Sequence, residues 1–181
     1  GFGAGPVRVG LIQALDMRRA ILIAIAIVFA VLPVAAGACS YPESPTFRSA
    51  LSTATDVFIF RLDQAEYKRQ ELGSGAFTDW VDGEIKPIQN LYGDSTKYRK
   101  IKFYSGWCGG VDLVVGHHYL IATNALGDTI ELASADGSIL DIDGFYDPSR
   151  KKEALRSTLI LPVIRAVYGV SPLPDDFPSS F

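Results

Sequence analysis

The patterned part of the chain opens with Phe47, Ala50, Leu51 and Ala54, whose i, i+3, i+4, i+7 spacing puts one apolar stripe on a short helix. Ser44-Pro45 ahead of them reads as the helix opening. Serine serves as the N-cap, and proline takes the first helical position, where its missing N–H needs no partner. After Asp56 the period changes. Val57 to Leu62 (VFIFRL) is a run rich in β-branched and aromatic residues, which predicts a strand buried on both faces, one of them under the preceding helix. EYKRQEL alternates weakly and stops at Gly73-Ser74-Gly75. The stretch from Phe77 to Tyr92 spaces out Val81, Ile85, Ile88 and Leu91, with Gly83 and Pro87 implying a bulge or an edge position.

Beyond the Gly93-Asp94 turn, KYRKIKFYS sets Ile101 and Phe103 on one face against Lys100, Lys102 and Tyr104 on the other. VDLVVGHHYLIAT, DTIELAS and GSILDID supply further strands, broken at Gly116, at Asn124 to Asp128 and at Ala135 to Gly137. The expectation is a mainly β domain of five or six short antiparallel strands with flanking helices, closed into a small barrel or stacked as a sandwich. The C-terminal part returns to helical spacing at Leu155, Leu159, Val163 and Ala166, with Asp147-Pro148 as its opening. Pro162 is expected to kink or split that helix and Gly169 to end it; residues 171–181 read as a frayed or surface-tied tail.

Ahead of the patterned region lies a different kind of segment. The only methionine, Met17, is followed by Arg18, Arg19, an uncharged run from Ala20 to Ala38, a helix-breaking Pro33 and Ala36-Gly37-Ala38. These are the three parts of a secretory signal with an A-x-A exit. Residues 1–16 read as upstream translation or a misplaced start, 17–38 as the signal peptide, 39–146 as the barrel domain and 147–170 as a helix packing on it. The competing reading is an uncleaved anchor, since the uncharged run just reaches the length of a bilayer span. Between Cys39 and Phe181, 14 basic face 19 acidic residues, a net charge of −5. That balance argues against a nucleic-acid partner, which calls for a basic face.

The two cysteines of an exported chain, Cys39 and Cys108, favour a disulfide over a metal site. The bridge would close a loop of about 70 residues and stabilise the fold by roughly 4 kcal/mol on the chain-entropy model. A lipid thioether on Cys39, the mark of an envelope-anchored protein, would use the same sulfur, although Ala36 stands where a lipoprotein signal usually carries leucine.

Two segments, CSYPESPTFRSALSTATDVFIFRL (Cys39 to Leu62) and FYSGWCGGVDLVVGHHYLIAT (Phe103 to Thr123), resemble the netrin-like family that includes the tissue inhibitors of metalloproteinases. The shared features are a leading cysteine, a short helix running into the first strand, and later Cys-Gly, Gly and Tyr-Leu. The resemblance implies an OB-type antiparallel barrel with a short N-terminal helix and a C-terminal helix. It also implies a bridge from the leading cysteine, Cys39, to the cysteine of the Cys-Gly step, Cys108. In such inhibitors the free α-amine and the carbonyl of the first residue chelate a protease's zinc at its open position, and the next residue, here Ser40, points to the specificity pocket. Tyr41 stands where the inhibitors have a second cysteine, so one bridge takes the place of three.

Other residues invite chemistry less strongly. His117 and His118 are adjacent on a strand and so point to opposite faces, and two histidines fall short of a metal site. Asp141 and Asp143 share one strand face in DIDG. Lys97, Arg99, Lys100 and Lys102 could meet a polyanion but have the alternation of a solvated face. Trp80 and Trp107 read as core or loop packing. No G-x-S-x-G, H-E-x-x-H or P-loop occurs. The chain is therefore expected to be an exported, non-enzymatic protein-binding module without cofactor or metal of its own. A zinc metalloprotease or another periplasmic or extracellular protein is the expected partner.

Overall fold

The first helix starts two residues later than its proline signal. In the computed structural model, which describes residues 45–73, 75–105, 109–154 (apart from the side chains of Lys151 and Ala154) and 157–178, helix α1 spans Phe47–Thr53. Its N-cap is Thr46, whose Oγ1 accepts from the Ser49 N–H at 3.2 Å while the Ser49 Oγ accepts from the Thr46 N–H at 2.9 Å. This reciprocal capping satisfies two donors at once and outcompetes the expected Ser44 cap. The residues read as leader, together with Cys39, Ser40, Trp107 and Cys108, lie outside the described residues. Residues 39–181 form one compact unit, described here by itself.

Six strands follow: β1 (Asp56–Gly73), β2 (Ala76–Tyr92), β3 (Lys100–Phe103), β4 (His118–Thr123), β5 (Thr129–Glu131) and β6 (Ile139–Asp141). They form one sheet in the order β5-β3-β2-β1-β4-β6. Three sequence expectations are corrected. VFIFRL and EYKRQEL are not two strands but one of 18 residues, because the irregularity at Leu62/Gln64 absorbs Asp63 as a bulge instead of ending the strand. Val111 to His117 are loop, and β4 begins only at His118. The sheet is mixed, because β5 runs parallel to β3 while the other pairings are antiparallel.

The residues flagged inside β2 behave as their chemistry requires. Pro87 pairs with Phe60 beside a register shift, past the point where β3 stops pairing at Glu84, so its missing N–H leaves no ladder bond open. Gly83 allows close approach; a Cβ there would stand 2.8 Å from both Ile101 Cγ2 and Leu62 Cδ1.

The first part of β1, Val57 to Phe60 with Leu62, is buried on both faces, as its composition predicts, while the residues beyond are largely exposed. Val57 and Ile59 enter one core with Phe47 of α1, Leu120, Leu140, Ile160 and Val163. Phe58, Phe60 and Leu62 enter a second core with Ile85, Tyr98, Ile101, Tyr119, Ile121, Ile130 and Ile139. Helices cover the first face. The second core draws only on strands and their adjoining loops, so the sheet must curl round its own side chains to bury them. The hydrogen bonding does not run on from β5 to β6, and the closed antiparallel barrel expected from sequence is not completed as a ladder.

The C-terminal region splits as Pro162 foretold, into α2 (Lys151–Ala154) and α3 (Ile160–Val167). Pro162 itself falls in the first turn of α3, where no intrahelical bond is lost. Gly169 at φ +68° ends α3, with Val170 N–H donating to the Arg165 carbonyl at 2.8 Å and Gly169 N–H to that of Ala166 at 3.1 Å. The tail is tied down: Arg48 donates to the carbonyls of Leu173 and Pro174, and Phe177 lies 5.6 Å from the Phe47 ring.

One charge is buried where β1 begins. Asp56, 3% exposed, accepts from Asp94 N–H (2.7 Å), Thr55 Oγ1 (2.8 Å), Tyr98 Oη (2.8 Å) and Lys97 Nζ (2.9 Å). Burial pushes its carboxyl up, and these four bonds together more than offset it, leaving the group below the usual carboxylate range. Gly93, at φ +69°, lies so close that a Cβ would overlap the Thr55 carbonyl. Replacing Asp56 by alanine should cost about 2–4 kcal/mol in urea unfolding at pH 7, because its donors lose a buried acceptor. Since the folded pKa is depressed, this contribution is complete above the unfolded value of about 3.9 and fades as pH falls through the folded one. A cost below about 0.5 kcal/mol at pH 7 would contradict this role.

Candidate binding site

Cys39, Ser40 and Cys108, on which the predicted site rests, lie outside the described residues, and the weaker histidine and aspartate candidates meet at the start of β4. Leu62 anchors it, donating to the His117 carbonyl (3.2 Å) and accepting from Gly116 N–H (2.7 Å). Tyr119, on the second-core face, sends its hydroxyl under the loop 109–117, where it accepts from Val114 N–H at 2.6 Å. Burial pushes this phenol up to about 12, so it stays neutral and acts as a fixed post for the loop.

The two histidines meet different neighbours, although His117 lies just ahead of β4. His117 stacks on Tyr119 and places Nδ1 2.9 Å from Asp141 Oδ2. His118 packs against Tyr146 and places Nδ1 3.1 Å from Asp143 Oδ1. The reading of Asp141 and Asp143 as one strand face is corrected. β6 ends at Asp141, the chain turns, and Asp143 serves His118 while its N–H donates to Asp141 Oδ1 at 2.8 Å. Among the described residues, no group of three or more His, Cys, Asp or Glu side chains could hold a metal ion.

A cavity of about 270 Å³ opens beside His117, between the loop residues Val111 to Leu113 and the turn residues Ala135 and Asp136, with Tyr119 and Asp141 in its wall. Its inner carboxylates are committed. Asp136 accepts from Ala133 N–H (2.8 Å) and Ser138 N–H (2.9 Å), and Asp141 accepts from Asp143 while pairing with His117. Asp112 also lines the cavity, and among the described residues the His117–Asp141 pair is its one titrating couple.

The segment 132–138, joining β5 to β6, ties this region together. Ala135 N–H donates to the Gly109 carbonyl, and Gly137 N–H donates to the Pro45 carbonyl at 2.8 Å. Gly109 is the neighbour of Cys108 in sequence and Pro45 lies six positions after Cys39, so both flanks dock on one turn.

The basic cluster does not gather into a patch. Lys97 is committed to Asp56 at 2.9 Å, while Lys100 and Lys102 lie opposite Glu84 and Asp82 in the β2–β3 register. Trp80 is half-buried on the outer face with Lys102 Nζ 5.0 Å from its ring, and its Nε1 donates to Asp82 at 3.0 Å. Sequence reasoning missed the turn as a hub, for which the buried-polar pattern of ASADGS gave only a break signal. In comparisons with known proteins, no family model and no curated protein matches the chain.

The hydrogen bond to Asp141 holds the His117 pKa above its ordinary value. In Asp141→Asn, the His117 ring resonances should therefore titrate at lower pH, towards about 6.5. With a raised folded value, the pair adds stability below about pH 6.5 and loses it as pH rises through the folded pKa. An unchanged NMR titration of His117 in that variant would contradict the pairing.

Proposed function

We propose that the segment from Cys39 onward is an exported OB-type, netrin-like module that works by binding a protein, and that its target is a zinc endopeptidase gripped by the amine and carbonyl of Cys39. The strand arrangement supports the fold half of this reading. β5 and β6 run in the same direction, one parallel to β3 and the other antiparallel to β4, so residues 129–141 read as one closing strand interrupted at 132–138. Joined in that way, the sheet has the strand order of a five-stranded OB barrel.

The single observation that carries the functional half is the shared turn. With the flanks of Cys39 and Cys108 both hydrogen-bonded to residues 135–137, a bridge between the cysteines is compatible with the chain path. A bridged first residue has little freedom to lose on binding. Its α-amine, with an ordinary pKa of about 8, is about one-fifth neutral at pH 7.4, and metal binding draws on that fraction by releasing the proton. Ser40 would then face the protease's specificity pocket.

Processed protein beginning at Cys39 should inhibit at least one zinc endopeptidase cleaving a fluorogenic peptide. One extra alanine before Cys39 should weaken inhibition by about 100-fold or more, the loss expected when a coordinating group is removed, without shifting the melting temperature. Inhibition should also weaken below about pH 7 as the amine protonates. Equal potency with the added alanine would refute chelation.

A further inference from the structure

We propose that the outer end of the β1–β2 hairpin and the hollow at its base form a second docking surface, which takes an extended cationic segment of a partner polypeptide bearing a large apolar side chain. Both strands outrun the rest of the sheet. β3 pairs with β2 only over Val81 to Glu84, and the bonds from the β4 side of β1 stop at Leu62, so among the described residues 68–73 and 76–80 pair only with one another, while 64–67 pair with 81–84 at the ribbon's base. A two-stranded ribbon is marginal in water by itself, yet this one presents large apolar groups. Tyr67 and Phe77, on the same face, are 53% and 55% exposed.

That face is set before any partner arrives. Arg69 lies between the two rings, 5.8 Å from the Tyr67 centroid and 5.4 Å from that of Phe77. Its Nε donates to Asp79 Oδ1 at 2.8 Å, and its Nη2 donates to Asp79 Oδ2 and to Tyr67 Oη, both at 3.0 Å. A side chain held by three hydrogen bonds and two ring contacts loses little entropy on binding, and aromatic residues and Arg are enriched at protein interfaces.

At the foot of the ribbon, the same face runs into a cavity of about 320 Å³ walled by Ala65, Tyr67, Val81, Phe103, Val111 and Leu113. This is many times the roughly 30 Å³ share of one water molecule, and the walls offer water few partners. An apolar side chain suits it. The charges around it select what flanks that side chain. Arg69 is neutralised by Asp79, whereas among the described residues neither Glu71 nor Asp112 has an ion-pair or hydrogen-bond partner. Lys68 and Lys102 belong to the opposite face, Lys68 paired with Glu66 and Lys102 over Trp80. The rim is therefore acidic, and the complementary partner presents Lys or Arg on either side of its apolar residue.

The test titrates three capped pentapeptides into the intact protein purified from an exporting host: Lys-Ser-Phe-Ser-Lys, Glu-Ser-Phe-Ser-Glu and Lys-Ser-Ser-Ser-Lys. Alternate residues of an extended chain share a face, so the first presents its ring and both charges together. It should bind saturably and the other two at least about tenfold more weakly. Tyr67→Ser and Asp112→Lys, both at exposed positions, should each weaken the first peptide about fivefold or more without moving the melting temperature. Absence of saturable binding, equal binding of all three peptides, or indifference to both substitutions overturns the proposal. Concentration-dependent self-association that Tyr67→Ser removes would give this surface to a second copy of the chain and equally overturn it.

Discussion

The turn at residues 132–138 is the constraint on which the arrangement depends. It interrupts what would be one closing strand, sending β5 to one edge of the sheet and β6 to the other. Asp136 holds both of its ends, through Ala133 and Ser138, and Ala135 adopts φ +52°, a left-handed conformation costing about 1–2 kcal/mol outside glycine. Strain of this kind persists only where its surroundings over-determine it. Here the surroundings are two outward bonds, to the carbonyls of Gly109 and Pro45. The segment ahead of α1, the loop over Tyr119 and both sheet edges thereby share one short piece of backbone.

Two-sided burial of β1 makes that turn possible. With alternate residues from Val57 to Leu62 committed to separate cores, a one-residue slip would exchange the contents of both. The register of the sheet is therefore fixed at its centre, and Asp56 fixes the point where the strand enters. A curled sheet with one face filled by its own side chains and the other by helices leaves few places for recognition. They are the loop and turn end, and the ribbon that extends beyond the cores.

Much of this was legible in the residues. The i, i+3, i+4 stripe of α1, the doubly buried VFIFRL, the restart of the C-terminal helix two residues before Pro162 and the Gly169 stop each rest on local rules, and local rules decided them. The histidines do part to different neighbours, but His117 does so from the loop rather than from within a strand. What failed depended on distant parts of the chain. VDLVV has the composition of a strand, but Tyr119 captures its backbone at Val114 and leaves it a loop. VFIFRL and EYKRQEL read as separate pieces, yet Asp63 between them is absorbed by a bulge, since the strand beyond it finds a continuous partner in β2. Parallel pairing of β5 with β3 needs a crossover that no local signal announces. The turn carried only its Gly and Asp punctuation, which marks a break without saying what docks on it.

The functional reading joins a chain end, a loop and a turn through two sulfurs, and so can be examined without any partner. Peptide mapping of the exported protein, alkylated and digested without reduction, tests it most directly. The account predicts a fragment beginning at Cys39 joined to the fragment containing Cys108, separable only after reduction. Two separately alkylated cysteines, or a diacylglyceryl adduct on Cys39, would contradict it.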